Sequence, residues 1–280
     1  MAQTKQQIQR LLAEAGAHPR HRLGQNFMID ANLVRIVADA GMISPGDLVI
    51  EVGPGTGTLT EELLVRRATV VAVEIDRMLA ELLRNRFAAA GNFSLIEADA
   101  LAGKHALDER VIAEIQRAKS AGQTVRLVAN LPYNIASPLL IEMLIAGVDL
   151  LAFTVQKEVA DRLRSGPNSA QYGTLSIMTQ LLSRVELLRT LPPQAFWPMP
   201  GIESALVRLT RDDRLSDRAA GFGSFVQRIF SSRRKTLRNA LAKAGGDAEK
   251  SLAAAGLNGQ SRPEEICPQD FLRLFDAALA

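Results

Sequence analysis

The chain has 280 residues, of which 47% are hydrophobic and 22% are charged, and its formal net charge is +3. This length supports a large hydrophobic core, and the composition is that of an ordinary globular protein. No apolar run approaches the roughly 18 residues of a membrane span. A single cysteine, Cys267, excludes an intramolecular disulfide and disfavours a structural zinc site. We therefore expect a cytoplasmic monomer that requires neither a metal ion nor a membrane.

The first part of the chain alternates between strand-like and helix-like patterns. Residues 1–14 are polar and indicate a short helix rather than a secretory signal. Further along, short β-branched runs alternate with stretches of helical periodicity. The predicted strands cover residues 48–52, 69–75, 93–98, 125–129 and 150–155. The predicted helices between them cover residues 58–67, 78–90 and 136–146. This alternation predicts βαβ units and a parallel, doubly wound sheet.

The pattern changes toward the end of the chain. A helix at residues 175–182 precedes two strands, 185–191 and 204–209, which would close the sheet at seven strands. A charged linker follows, and the remaining patterns are helical, at residues 222–230, 236–244 and 268–278. We predict an α/β domain with a mostly parallel sheet in residues 1–210 and a small all-α domain in residues 211–280.

A glycine-rich turn follows the first predicted strand. Gly53, Gly55 and Gly57 permit a sharp backbone turn and a close approach to a ligand. Glu74 ends the second strand, where a carboxylate can bind both ribose hydroxyls, and Asp99 follows the third strand, where it can accept a hydrogen bond from an adenine amine. These positions share the carboxyl edge of a parallel sheet and predict a nucleotide cofactor. The alternative is a structural turn beside polar strand ends.

The fourth predicted strand ends in Asn130-Leu131-Pro132-Tyr133. An Asn side-chain oxygen and a backbone carbonyl can accept both N–H hydrogens of an exocyclic amine. Pro132 removes a competing donor and stiffens the turn, and Tyr133 can stack on a planar base. The four residues therefore predict a site that holds a nucleobase by its amino group.

With these motifs in place, the chain resembles the ribosomal RNA adenine N6-dimethyltransferases, in particular the bacterial enzymes of the small-subunit 16S RNA. The resemblance runs through nearly the whole chain. Its motifs lie at residues 23–27, 51–57, 73–76, 98–100, 130–134, 196–204 and 230–235. It implies a Rossmann-like methyltransferase sheet with a small all-α C-terminal domain. Met28, where the family often has Leu, and Ile202, where it usually has Val, are mild departures, and the helical pattern within residues 101–123 has no counterpart in this scheme.

The resemblance implies S-adenosylmethionine as the methyl donor. The residues it assigns to the donor are Asn26, Met28, Gly53, Gly55, Glu74, Asp99 and Asn130. It further implies transfer of two methyl groups to each of two adjacent adenosines in the hairpin loop near the 3′ end of small-subunit RNA, late in subunit assembly. Residues 1–30 would form the segment through which donor and substrate reach the site.

The residues are consistent with direct displacement at the sulfonium methyl group, which needs positioning rather than a metal ion or a covalent intermediate. In this interpretation the Asn130 side chain and the Leu131 carbonyl accept the adenine N6 hydrogens, and Tyr133 stacks on the extruded base. Phe196 would form the opposite wall of the base pocket, with a plug of the hydrophobic core as the alternative, and Trp197 is interpreted as a plug.

Two basic clusters predict contacts with RNA phosphates. The first cluster, Arg20 and Arg22, flanks the motif at residues 23–27. The second cluster, Arg233, Arg234 and Lys235, begins a predicted helix. Such clusters favour a polyanionic partner, here the small ribosomal subunit and its 16S RNA, although solvated surface residues are the simpler alternative.

Two other functions remain open from the sequence. A large-subunit RNA methyltransferase that confers antibiotic resistance would use the same chemistry. A non-catalytic RNA-binding assembly factor would keep the fold but lose the donor pocket or the Asn-Leu-Pro-Tyr loop. An NAD-dependent dehydrogenase would leave residues 130–133 without a role.

Overall fold

In the computed structural model, residues 3–103 and 106–279 of the protein are described. The strands in these ranges are, in chain order, β1 (Phe27–Met28), β2 (Leu48–Val52), β3 (Thr69–Glu74), β4 (Phe93–Glu97), β5 (Leu101–Gly103), β6 (Ala106–Leu107), β7 (Val125–Asn130), β8 (Leu150–Gln156), β9 (Ser183–Leu191), β10 (Phe196–Trp197) and β11 (Ser204–Arg211). Two positions of the predicted N-terminal helix, 1 and 2, lie outside the described residues, as do residues 104 and 105 of the unassigned segment.

The α-helices are, in chain order, α1 (Lys5–Glu14), α2 (Ala31–Ala40), α3 (Thr58–Val65), α4 (Arg77–Arg86), α5 (Glu109–Ser120), α6 (Ala136–Ile145), α7 (Lys157–Arg164), α8 (Thr174–Leu182), α9 (Ala219–Phe230), α10 (Leu237–Lys243), α11 (Ala248–Ala255) and α12 (Pro268–Leu279). Several begin at a side-chain cap, as α4 does at Asp76, whose carboxylate accepts the Met78 N–H.

The main sheet has seven strands in the order β4-β3-β2-β7-β8-β11-β9. β4, β3, β2, β7 and β8 run parallel to one another, and β11 pairs antiparallel with β8. The α/β fold with a doubly wound, mostly parallel seven-stranded sheet is therefore confirmed. Because β2, β3, β4 and β7 point the same way, their carboxyl ends meet at one edge.

The strands at the centre of the sheet are apolar because helices cover both faces. All residues of β2 are buried, and β7 and β8 are buried except at Arg126 and at their last residues. One core cluster joins Val34 and Val37 of α2 to Leu63 of α3 and Val128 of β7. Burial of each such side chain contributes roughly 1.5–3 kcal/mol, so this core holds the carboxyl edge in a fixed shape.

Several elements are absent from the sequence-based scheme. β1 pairs antiparallel with the equally short β10, opposing Phe27 to Trp197 and Met28 to Phe196. This pairing joins the N-terminal segment to the loop before β11. The unassigned helical pattern within residues 101–123 corresponds to α5, and α2, α7 and α11 had no counterpart in the scheme.

The chain divides into two compact units, one of residues 1–160 and 186–210 and the other of residues 161–185 and 211–280. The second unit thus contains residues 161–185 in addition to the predicted C-terminal domain. Its core is aromatic: the rings of Phe222 and Phe275 lie 5.4 Å apart, edge to face, and Tyr172 contacts Phe230. None of the described helices has the length and apolar character needed to cross a membrane.

Candidate active site

A cavity lies at the carboxyl ends of β2, β3, β4 and β7. All the residues predicted to hold the cofactor line it: Asn26, Met28, Gly53, Gly55, Glu74, Asp99 and Asn130. The strand ends supply Glu74, Asp99 and Asn130, and β1 supplies Met28. The structure therefore brings one continuous set of residues together from segments that are far apart in sequence.

The glycine-rich turn allows its neighbours to approach closely. Gly53 has a φ of +71°, and a Cβ there would lie 3.0 Å from Pro132 Cγ. Gly55 has a φ of +61°, and a Cβ there would lie 2.9 Å from Phe27 Cε1. A side chain at either position would be strained and crowded. The turn is thus held between the N-terminal segment and the Asn-Leu-Pro-Tyr loop.

Glu74 is the buried carboxyl group of this cavity, with only 3% of its surface exposed. Its two oxygens accept the N–H groups of Gly55, at 3.3 Å, and Asp76, at 2.9 Å. Burial raises the pKa of Glu74 to about 7, against the lowering effect of these backbone hydrogen bonds. A carboxylate has about four acceptor sites, so both oxygens keep capacity for further donors.

Glu51, at the end of β2, is a second buried acid of the same cavity. The Thr60 hydroxyl donates a hydrogen bond of 2.6 Å to its carboxyl group. Burial raises the pKa of Glu51 to about 8, and the nearby Glu74 adds to this rise. The sequence analysis did not single out Glu51, although an acid inside an otherwise apolar strand was a visible signal.

The raised pKa of Glu51 predicts a pH-dependent stability. Its contribution to stability is complete below the ordinary value of 4.5 and is lost as the pH rises from there through about 8, because the unfolded state ionises in this range while the buried group of the folded state keeps its proton. We expect the Glu51→Gln variant to melt about 5 °C above the parent at pH 9, with a smaller difference at pH 5. Thermal melts across this pH range test it. The exposed Glu81→Gln is the control, and parallel pH curves for Glu51→Gln and the parent would contradict the prediction.

The Asn130 side chain is held at both ends of its amide. Its Nδ2 donates to the Asn26 carbonyl at 2.6 Å, and its Oδ1 accepts a hydrogen bond from the Thr154 hydroxyl. Asn130 also lines the first cavity. Leu131 is buried, and its N–H donates to the Thr154 carbonyl. The loop that follows β7 is therefore anchored to the neighbouring strand β8.

Tyr133 lines a second cavity. Its hydroxyl shares a hydrogen bond of 2.6 Å with Ser204, and burial raises the pKa of Tyr133. The residues around the second cavity are Pro19, Gly24, Gln25, Asn26, Tyr133, Asn134, Gln156, Pro198, Met199, Pro200 and Gly201. Both cavities share residues 24–26 as a common wall. Asn130 contacts this wall through its hydrogen bond to the Asn26 carbonyl.

The N-terminal segment is attached to the sheet edge by polar contacts. The Gln3 side-chain amide donates to the Thr56 carbonyl at 3.1 Å and accepts from the Thr56 hydroxyl at 2.6 Å. The Arg20 guanidinium lies 3.3 Å from the carboxylate of Asp76, which is buried. Arg20 is thus paired, and both Arg20 and Arg22 are exposed. Contact of Arg20 and Arg22 with RNA phosphates stays a prediction.

The two aromatic residues of β10 differ in exposure. Phe196 is 2% exposed and packs in the core cluster with Met28 and Leu206. Trp197 is half-buried and stacks on Phe27 at a ring distance of 6.3 Å. In this structure Phe196 lines neither cavity and occupies the core, which corresponds to the plug alternative. A role as a wall of the base pocket stays a prediction that needs the loop to move.

The second unit carries a basic groove, defined as the cavity lined by Phe230, Ser231, Ser232, Arg233, Arg234, Lys235, Asn239 and Lys243. Arg233, Arg234 and Lys235 are exposed and lie in the turn that precedes α10, not at the helix start that the sequence predicted, because Thr236 caps that helix. Asn239 and Lys243 also line the groove and were not predicted from the sequence. Among residues 3–103 and 106–279, no cluster of three metal-ligating side chains is found.

The order of the seven strands, together with a cavity lined by the glycine-rich turn and the carboxyl ends of the parallel strands, matches a methyltransferase of the Rossmann-like class. Comparison with known proteins narrows this class. The ribosomal RNA adenine dimethylase family matches residues 16–279. The ribosomal RNA small subunit methyltransferase A of Alkaliphilus oremlandii is 38% identical over 259 residues, which cover 89% of this chain and 88% of the relative. The protein belongs to the ribosomal RNA adenine dimethylase family.

Two solved structures have a similar fold. A dimethyladenosine transferase from Plasmodium falciparum superposes with a TM-score of 0.67 at 22% identity and covers 89% of this chain and 95% of its own. The 23S rRNA methyltransferase ErmE superposes with a TM-score of 0.62 at 25% identity and covers 91% of this chain and 100% of its own. The first of these likenesses concerns the fold alone. The protein is an S-adenosylmethionine-dependent methyltransferase of ribosomal RNA adenines.

Proposed function

We propose that this protein transfers methyl groups from S-adenosylmethionine to N6 of two adjacent adenosines in the 3′-terminal hairpin loop of small-subunit RNA, during ribosome biogenesis. The observation that carries the proposal is the common wall of the two cavities, residues 24–26, beside Asn130. A donor in the first cavity and a base in the second would meet there.

The first cavity has the groups that a nucleoside donor requires. Glu74 retains acceptor capacity for the two ribose hydroxyls, and Asp99 is exposed at the end of the next strand for an adenine amine. Ile75 presents an apolar side chain that is 49% exposed, which an adenine ring would cover. S-adenosylmethionine supplies a methyl group on a positively charged sulfur, so no metal ion is needed to activate it.

The protein's contribution to the reaction is positioning. The Asn130 Oδ1 and the Leu131 carbonyl would accept the two N6 hydrogens, which localises the nitrogen lone pair and aims it at the methyl group. Tyr133 would stack on the base, with its hydroxyl fixed by Ser204. Oriented attack of this kind can supply roughly 7–11 kcal/mol of the barrier reduction.

The small-subunit substrate is favoured over the large-subunit alternative by two features. The curated relatives at 38% and 39% identity are named small-subunit methyltransferases, whereas the 23S enzyme is 25% identical. The basic groove adds a second RNA-binding surface. The intact donor cavity and Asn-Leu-Pro-Tyr loop argue against a purely non-catalytic assembly factor.

The direct test is incorporation of tritiated methyl groups into under-methylated small and large subunits, followed by nucleoside analysis. We expect dimethyladenosine in small-subunit RNA alone. Label in large-subunit RNA would support the resistance enzyme, and binding of small subunits without label would support the assembly factor.

The basic groove predicts a specific salt dependence. The Arg233→Ala, Arg234→Ala, Lys235→Ala triple variant should weaken small-subunit binding and reduce the slope of log K against log salt by up to about three, because three phosphate contacts are lost. Filter binding across a salt series measures this. The control is the Arg214→Ala, Arg262→Ala, Arg273→Ala variant, which removes three charges already paired with Asp212, Glu264 and Asp270. Equal slopes for both triple variants would contradict the role of the groove.

A further inference from the structure

A buried hydroxyl group lies directly behind the proposed catalytic loop. Thr154 belongs to β8, whose first six residues are buried, and it is 0% exposed. A β-branched residue suits a buried strand, but its hydroxyl is costly to bury unless it is hydrogen-bonded. The Thr154 hydroxyl donates its hydrogen bond to Oδ1 of Asn130, the residue opposite it in register on β7.

The two ends of the Asn130 amide have different partners. A backbone carbonyl only accepts hydrogen bonds, so the Asn26 carbonyl, 2.6 Å away, requires the NH2 end of the amide to face it. The oxygen end therefore faces the Thr154 hydroxyl, which acts as the donor. An amide oxygen has two lone pairs, and one of them stays available for an N6 hydrogen of the target base.

The reverse orientation of the amide would be unproductive. It would present an NH2 group to the amino group of adenine, which is itself a donor, and neither group could accept. Thr154 has a second contact with the same loop, because its carbonyl accepts the Leu131 N–H at 3.2 Å. The backbone contact survives any side-chain substitution, so the hydroxyl can be tested separately from the attachment of the loop.

We propose that Thr154 is a positioning residue for methyl transfer, whose hydroxyl holds the Asn130 amide with its oxygen toward the target amine. This inference rests on the proposed function. In each transfer the N6 lone pair forms the new N–C bond, sulfur keeps the electrons of the broken C–S bond, and the methylated nitrogen releases one proton to water. After the first transfer a single N6 hydrogen remains. In the second transfer that hydrogen has one acceptor, whereas in the first transfer two acceptors hold two hydrogens. The orientation of the acceptor therefore matters more in the second transfer.

The decisive comparison is between Thr154→Val and Thr154→Ser. Valine keeps the shape and removes the hydroxyl, whereas serine keeps the hydroxyl. We expect Thr154→Val to lower kcat roughly 5- to 20-fold, with the KM for S-adenosylmethionine unchanged. The ratio of monomethyl to dimethyl product should rise, and Thr154→Ser should restore both values. A buried Thr hydroxyl in the second unit provides the control, since Thr179→Val removes a hydrogen bond to the Leu175 carbonyl and should change neither value.

Packing effects are separated by Thr154→Ala, which also lacks the hydroxyl but leaves empty space. The Thr154→Ala variant should show the same loss of kcat as Thr154→Val, and its melting temperature should be lower. Full kcat and an unchanged product ratio in Thr154→Val would overturn the inference, as would equal losses in Thr154→Val and Thr154→Ser. If the parent enzyme itself incorporates no methyl groups, the proposed function fails instead, so the two failures are distinguishable.

Discussion

Replacing Asn130 by alanine is expected to lower kcat for methyl transfer by roughly 100- to 1,000-fold. The amide is clamped by Asn26 and Thr154, so its oxygen is pre-oriented before the base arrives. Without it, one N6 hydrogen loses its acceptor and the nitrogen lone pair remains delocalised into the ring. Single-turnover assays with under-methylated small subunits measure this loss directly.

The affinity for the donor should change much less than the rate. Asn130 lines the donor cavity, but the other groups that would hold the nucleoside, Glu74 and Asp99, lie on other strands. We expect the dissociation constant for S-adenosylmethionine to rise less than about tenfold, from loosening of the N-terminal segment at Asn26. Asn32→Ala, on the exposed face of α2, is the matched control. A rate loss that is fully recovered at saturating donor would contradict the assignment of Asn130 to the base.

The carboxyl edge of the sheet was predictable from sequence because its signals are local. Short apolar, β-branched runs that alternate with helical patterns identified β2, β3, β4, β7 and β8 to within one or two residues. A polar residue at the end of a parallel strand necessarily lies on this edge, so Glu74, Asp99 and Asn130 could be assigned to one site before any contact was known.

The contacts that complete the site were not predictable, because they depend on tertiary packing. β1 and β10 are two residues long and carry no periodic pattern, so their pairing was invisible. That pairing buries Phe196, for which the sequence left wall and plug open. Likewise, the pairing of Arg20 with Asp76 depends on where the N-terminal segment lies, which no local pattern encodes.

Thr154 shows a different limit of prediction from the sequence. Threonine inside an apolar run is typical of a buried strand, and nothing in that run distinguishes a hydroxyl that bonds to a residue of the candidate site from one with a purely structural partner. Its partner becomes evident only from the register of β7 against β8, which sets Thr154 opposite Asn130. Register between parallel strands is set by the helices that connect them and by core packing, not by either strand alone.

The Glu74→Gln variant is expected to weaken S-adenosylmethionine binding roughly 100-fold while small-subunit binding is retained. The carboxyl group holds the Gly55 and Asp76 N–H groups and would accept both ribose hydroxyls as well. A glutamine would turn an NH2 group toward one of these donors. Hydrogen bonds to a charged group contribute roughly 1.5–3 kcal/mol each, and the loss of about two such hydrogen bonds accounts for the 100-fold weaker binding. Calorimetric titration measures it. Glu97→Gln, on the neighbouring strand and paired with Arg84, is the control.

The same carboxyl group should couple donor binding to proton release. Burial raises the pKa of Glu74 to about 7 in the free protein. Hydrogen bonds from the ribose hydroxyls favour the ionised carboxylate, so the pKa of Glu74 falls when S-adenosylmethionine binds. Binding below pH 7 must therefore expel a proton, and the affinity should fall by up to about tenfold for each pH unit below 7. Calorimetry in buffers of different ionisation enthalpy would detect this proton, and Glu74→Gln should abolish it. If the affinity of Glu74→Gln still falls with falling pH, the released proton would be assigned to Glu51. Glu51 lines the same cavity, and its pKa of about 8 is one unit above that of Glu74.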